Sequence, residues 1–157
     1  MRFSERFKVA ALTESADVTT NGVDSYSVNM GKMHTGCWLV NFGAVTANDT
    51  LTVYTGASQG TKTTAIAFKY RLAAADTKAA LSDTFGAFTS VASTGLTLTA
   101  ATVDHKLLIV EVDSQAIDDA VPFVTLEIAG SATTQNVSIV FIGEPRFGAN
   151  AGTPSVV

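Results

Sequence analysis

Hydrophobic residues alternate with polar or small residues along most of this chain, and this period of two limits the possible folds more than any other feature. A period of two places successive side chains on opposite faces of a β-strand, whereas a helix requires a period of 3.6. The same alternation recurs in segments 25–30, 38–42, 50–54, 65–72, 96–99, 123–128 and 137–142. In the clearest of them, Ile66, Phe68, Tyr70 and Leu72 alternate with Ala65, Ala67, Lys69 and Arg71.

Turn-forming residues separate these candidate strands, for example at 21–22, 47–49, 93–95 and 130–131. Residues 107–112 are apolar on both faces at their start, which predicts a central position in a sheet. With a further candidate strand near residues 8–12, we predict eight or nine strands. The predicted fold is all-β, a two-sheet antiparallel β-sandwich of the jelly-roll type.

Two segments interrupt the alternation. Residues 73–81 are rich in alanine and predict about two helical turns within a long loop. Residues 113–119 follow a strand and precede Pro122, and we expect a single turn capped by Asp113 or Ser114.

A chain of 157 residues is long enough for one domain, and its two ends differ from its middle. We predict a single sandwich over residues 13–147, an extended N-terminal arm over 1–12 and a flexible C-terminal tail over 148–157. The N-terminal arm combines arginine and phenylalanine, which are common anchors in protein interfaces. The candidate partner-binding residues of the two ends are Arg2, Phe3, Arg6, Phe7, Arg146 and Phe147.

Composition excludes several classes of function. Charged residues make up only 15% of the chain and the net charge is −4, which argues against a nucleic-acid partner. The apolar runs 107–110 and 139–142 are far too short to cross a membrane, and we expect no secretory signal. The single cysteine, Cys37, excludes an intrachain disulfide, and its apolar neighbours predict a buried core thiol. We therefore expect folding in a reducing compartment.

Residues 56–60 match the G-x-S-x-G pattern of hydrolases, in which Ser58 would be the nucleophile. That pattern requires a helix after the serine, but the following residues alternate with a period of two. We therefore predict a hairpin loop. His34 and His105 are the two histidines, and neither has the neighbouring ligands that a metal site needs.

Three carboxylates, Asp113, Asp118 and Asp119, are the best candidates for a calcium site, but they lack the spacing of an EF-hand. Solvated loop acids are the simpler interpretation. We predict a protein that is not an enzyme and that has no metal and no cofactor.

Four segments resemble small virion proteins of tailed bacteriophages, the capsid decoration or cement proteins. They are VTANDTLTV at 45–53, LLIVEVD at 107–113, PFVTLEI at 122–128 and VSIVFIGEPRF at 137–147. The resemblance covers roughly residues 24–147. It implies a β-sandwich, as a homotrimer or homodimer, that sits on the outer capsid surface and clamps major capsid protein subunits. The protein would be made in the host bacterial cytoplasm.

The alternative is a β-sandwich module that binds glycans or a host surface, such as a head fibre or an adhesin. An exposed aromatic cluster on one loop face would favour it. Most aromatic residues here occupy positions that we expect to point inward, Trp38 among them, so the alternation favours the capsid protein.

Overall fold

The computed structural model describes residues 3–13, 16–17, 22–130 and 135–146. It consists of two antiparallel β-sheets packed face to face, so the predicted two-sheet sandwich is confirmed. The described strands, in chain order, are β1 Lys8–Ala11, β2 Ala16–Asp17, β3 Val23–Asp24, β4 Val28–Asn29, β5 Met33–Val45, β6 Asp49–Gly56, β7 Thr64–Ile66, β8 Phe68–Leu72, β9 Thr89–Val91, β10 Leu96–Leu98, β11 Leu107–Asp113, β12 Phe123–Ile128 and β13 Gln135–Pro145.

Seven strands form the larger sheet, in the order β1-β13-β5-β11-β8-β9, with β2 paired to the other end of β13. The two longest strands, β5 and β13, pair over almost their whole length in its middle. The smaller sheet has six strands in the order β10-β6-β12-β3. There β7 also pairs with β6, and β4 also pairs with β12.

The core lies between the sheets and is made of the side chains that alternate inward from each strand. Trp38 and Phe141 are fully buried at its centre, with ring centroids 4.9 Å apart. The other large side chains that are fully buried are Phe42, Leu12, Met30, Met33, Leu51, Leu98, Leu108, Leu126, Ile128 and Ile139. The alternation in the sequence thus correctly indicates the inward positions, because a strand turns every second side chain to the same face.

Two paired glycines make room for the Phe141 ring. Gly36 of β5 and Gly143 of β13 are opposite each other in the register. A Cβ atom at Gly36 would lie 2.8 Å from the ring, and one at Gly143 would overlap it. The absence of both side chains therefore permits the close contact of Phe141 with the backbone.

The described strands number thirteen rather than eight or nine. The additional strands β2, β3 and β9 contain two or three residues each, which is too short for a visible period. The predicted strand at 65–72 is divided into β7 and β8, which belong to different sheets. The described helices are α1 Phe3–Arg6 and α2 Ala100–Val103, and 3-10 turns span Met30–Lys32 and Ser114–Ala116. The last turn is the predicted one, with the Asp113 side chain accepting the Gln115 N–H at 2.9 Å. No described helix is long and apolar enough to cross a membrane.

The helix predicted for residues 73–81 is wrong. Ala73 pairs with Phe85 across a single bridge, and a series of turns lies between them. Lys78 and Leu81 have φ angles of 74° and 69°, in the left-handed region. A right-handed helix cannot pass through such residues, so the alanine content does not decide this segment.

The boundary of the N-terminal arm at residue 12 is also wrong. Residues 8–11 form β1, which pairs with residues 140–143 of β13. Leu12 is 1% exposed, and its carbonyl oxygen accepts the Tyr26 N–H at 3.0 Å. Within the part of the chain that the structure describes, the N-terminal arm therefore comprises at most residues 3–7. The predicted C-terminal tail, 148–157, lies outside the described residues.

Candidate interface

The outer face of the larger sheet, which points away from the core, is apolar over its central part. In β5, Trp38 and Val40 point into the core, so Cys37 and Leu39 point outward. Leu39 lies between Val140 of β13 and Ile109 of β11 in the register. We call the outward apolar residues of four adjacent strands the apolar band: Val9, Ala11, Cys37, Leu39, Leu107, Ile109, Val140 and Ile142.

The apolar band is in contact with solvent. Val9 is 53% exposed, Ala11 is exposed, and the other six residues are half-buried. The outer face of an antiparallel sheet is normally polar, because water covers it. A contiguous apolar surface of this kind marks a contact site for another molecule more often than an ordinary surface.

Charged side chains border the apolar band. Glu144 lies at one end, where it accepts a hydrogen bond from Arg6 at 3.2 Å. Glu111 is directly opposite Cys37 on one side and Lys69 on the other. Arg71 is opposite Ile109 at the β8 side. An apolar centre with a charged rim is the usual composition of a protein interface.

The outer face of the smaller sheet is different, because most of its outward positions are polar and the two aromatic ones, Tyr54 and Phe123, are half-buried. Thr50 is opposite Thr97, and Thr52 is opposite Glu127. The Lys62 ammonium, from the loop after β6, pairs with Asp24 at 2.8 Å and also with Glu127. The larger sheet therefore has the more contiguous apolar outer face, which is the one better suited to docking through apolar contact.

Cys37 lies in the apolar band and not in the core, so the prediction of a core thiol is wrong. The position follows from the alternation of β5, which places Cys37 on the face opposite to Trp38. Burial against its neighbours, together with the negative charge of Glu111, raises the pKa of the Cys37 thiol from 9.0 to about 11. The thiol is therefore protonated and weakly reactive at neutral pH.

The described N-terminal candidates lie together at one end of the apolar band. The Phe3 and Phe7 ring centroids are 4.8 Å apart, and the Arg6 guanidinium lies 5.2 Å from the Phe7 ring centroid. Phe3 is 57% exposed. Since Phe7 directly precedes β1, pairing of β1 with β13 brings this cluster to Glu144, near the end of the chain.

Arg146, the described C-terminal candidate, is held by backbone atoms. Its Nε donates to the Met33 carbonyl at 3.0 Å, and its backbone N–H donates to the Lys32 carbonyl at 2.9 Å. Arg146 thus fastens the end of β13 to the start of β5. Arg2 and Phe147, the two other predicted partner-binding residues, lie outside the described residues.

The residues considered for catalysis are dispersed. Ser58 lies in the hairpin loop between β6 and β7, as predicted, with no helix after it. His34 is in β5, and His105 follows α2 with a φ angle of 54°. No hydrogen bond joins Ser58 to either histidine within the described part of the chain. The strand-turn-helix context of a nucleophile elbow is not present at Ser58.

The candidate calcium ligands serve local turns. An oxygen of Asp113 accepts the Gln115 N–H and one of Asp118 accepts the Ala120 N–H, both at 2.9 Å. Among the residues that the structure describes, no group of three or more histidine, cysteine, aspartate or glutamate side chains could hold a metal ion.

Comparison with known proteins yields no family. No family model, no curated protein and no solved structure matches the chain significantly.

Proposed function

We propose that this chain is a capsid decoration or cement protein, which docks on the outer surface of a tailed-phage head and bridges major capsid protein subunits. The single observation that carries the proposal is the contrast between the two outer faces. Moving the apolar band from water into a protein contact costs little solvation free energy. The threonine-rich outer face of the smaller sheet is better suited to remain in contact with solvent.

The size of the apolar band favours a repeated, weak contact. Its four strands are spaced by about 4.8 Å and its two outward residues on each strand by about 6.8 Å, which gives roughly 260 Å². A stable interface buries about 800 Å² per partner, so the band alone gives a modest affinity. Many copies on one shell, or a homotrimer or homodimer, would convert such contacts into high avidity.

The test is binding to expanded heads that lack this protein. We expect the wild type to co-sediment with heads at a fixed saturating copy ratio and to raise their resistance to heat. Leu39→Asn, in the middle of the apolar band, should weaken binding about tenfold or more, because it places an amide in an apolar contact. Thr52→Asn introduces the same side chain on the polar outer face of the smaller sheet and should leave binding unchanged.

A wild-type protein that ignores expanded heads would overturn the proposal. Equal effects of Leu39→Asn and Thr52→Asn would retain a capsid role but remove the apolar band as its docking face.

A module that binds glycans is the second candidate, and one observation favours it. Phe88, which is 48% exposed, and Phe85 lie in the loop after β8, beside Arg71. Of the two rings, that of Phe88 is exposed and can stack on the apolar face of a sugar. A glycan array would test it, since a specific signal that disappears in Phe88→Ala would place this candidate first.

A further inference from the structure

The guanidinium of Arg71 is clamped beside the apolar band. Its central carbon lies 4.8 Å from the ring centroid of Phe88 and 5.8 Å from that of Phe85. Its Nε donates to the Gly86 carbonyl oxygen at 2.9 Å. Because Arg71 is directly opposite Ile109, this cation borders the apolar band.

The clamp is made by the backbone of the loop between β8 and β9. The Ala74 N–H donates to the Thr84 carbonyl at 2.8 Å, and the Gly86 N–H donates to the Leu72 carbonyl at 3.1 Å. These bonds fold the loop back, so that Phe85 and Phe88 reach the side chain of Arg71. The guanidinium is therefore oriented before any partner arrives.

The hydrogen-bonding capacity of Arg71 is largely unused. Among the described residues its Nε is the one nitrogen with a hydrogen-bond acceptor, so the four N–H groups of its two Nη atoms have none. A guanidinium presents these groups as a planar fork that matches a carboxylate. Since the two rings already restrict the side chain, little further conformational entropy is lost on binding.

We propose that Arg71 is the specificity anchor of the apolar band and that it binds a carboxylate side chain of the partner protein, set beside an apolar patch. This inference rests on the proposed docking function. A carboxylate fits better than a nucleic-acid backbone, because Glu111 and Asp113 project from the same face and the chain carries a net charge of −4. These acids would repel a polyanion while tolerating a single paired carboxylate.

The first experiment measures binding of variants to expanded heads. Arg71→Lys keeps the charge but loses the fork, and we expect it to weaken binding about tenfold. Lys69→Gln is the matched control, because it removes a charge from the neighbouring position on the same face. We expect Lys69→Gln to weaken binding to heads by less than about threefold. Thermal unfolding of each variant checks that the fold is retained.

The second experiment uses the free protein, so that it does not depend on the capsid. Sodium acetate is titrated against sodium chloride at equal ionic strength while the guanidinium NMR signals are recorded. Arg71 should respond most, because the Arg6 guanidinium already pairs with Glu144. The Arg146 guanidinium donates through Nε to a carbonyl as Arg71 does, but among the described residues no aromatic ring holds it in place.

The outcomes separate the two proposals. If the wild type binds heads but Arg71→Lys weakens binding no more than Lys69→Gln does, the proposal that Arg71 is the specificity anchor is overturned. The docking function stands in that case. If the wild type does not bind heads, the docking function fails. The acetate titration then decides whether Arg71 binds a carboxylate. An Arg71 response no larger than those of Arg6 and Arg146 would overturn it.

Discussion

Cys37 of β5 lies directly opposite Ile142 of β13, and both side chains are on the outer face of the larger sheet. The single cysteine of the chain is thus within the proposed docking surface. This position makes its thiol a reporter of contact at the apolar band.

The reactivity of Cys37 should depend steeply on pH. The thiolate is the reactive species, and a pKa of about 11 leaves only about one thiol in a thousand ionised at pH 8. We expect alkylation by iodoacetamide, followed by mass spectrometry, to be far slower at pH 8 than for an unstructured cysteine peptide. The rate should rise about tenfold per pH unit up to pH 11. A rate equal to that of the peptide at pH 8 would contradict the described environment of Cys37.

Two isoleucines of β13 should respond differently to the same substitution. Ile139 points into the core and is fully buried, whereas Ile142 is half-buried in the apolar band. Ile139→Ala should lower the free energy of unfolding by about 2–5 kcal/mol, because it leaves a cavity. Ile142→Ala should cost less than about 1.5 kcal/mol and should instead weaken docking. Denaturant unfolding measures both variants, and equal losses would mean that Ile142 also belongs to the core.

Truncation should locate the true start of the folded domain. Removal of residues 1–7 should leave the melting temperature nearly unchanged, because the described contacts of that segment are mostly exposed. Removal of residues 1–12 also deletes β1 and the buried Leu12, and should cost about 3 kcal/mol or more. Thermal melts of the two truncations give the comparison. A 1–12 deletion that melts like the wild type would restore the arm boundary predicted from the sequence.

Asp49 should destabilise the protein at neutral pH. Burial raises the pKa of its carboxyl group, although Oδ1 accepts the Thr50 N–H at 2.8 Å. Its Oδ2 is buried and has no hydrogen-bond partner among the described residues. The folded state therefore binds a proton more tightly than the unfolded state, and stability falls as the pH rises from below the ordinary pKa of aspartate through the raised value.

Replacing the charge removes this penalty. Asp49→Asn keeps an oxygen for the Thr50 N–H, and we expect it to be at least as stable as the wild type at pH 7. Its advantage should shrink as the pH falls towards 4. Urea unfolding between pH 4 and pH 8 measures the difference, and a variant that is less stable at pH 7 would contradict this account of Asp49.

The local pattern of the sequence was sufficient to predict the longer strands and the residues that point into the core. Trp38, Phe141 and Leu126 could be placed in the core from alternation alone, because the direction of a side chain in a strand depends only on its parity. The sandwich follows, since strands with one consistent apolar stripe must bury it against a second sheet. The very short strands escaped detection because two residues define no period.

The sequence contained a local sign of the apolar band, namely segments that are apolar on both faces, but the alternation alone did not show what this sign meant. Runs 107–110 and 139–142 are apolar on both faces. For the first run this predicted a central strand, but for neither did it indicate what covers the second face. Strand pairing decided that the two runs lie on either side of β5, and that residues 8–11 pair with residues 140–143.

The sequence by itself therefore determined the class of fold and the composition of the core, because both depend on spacing along the chain. Only the tertiary structure decided which outward residues meet. Val9 and Ile142 become neighbours across 133 positions of sequence, and Arg71 reaches Phe88 through a loop whose path is set by backbone hydrogen bonds. A contact surface depends on such long-range pairing, and no local period encodes it.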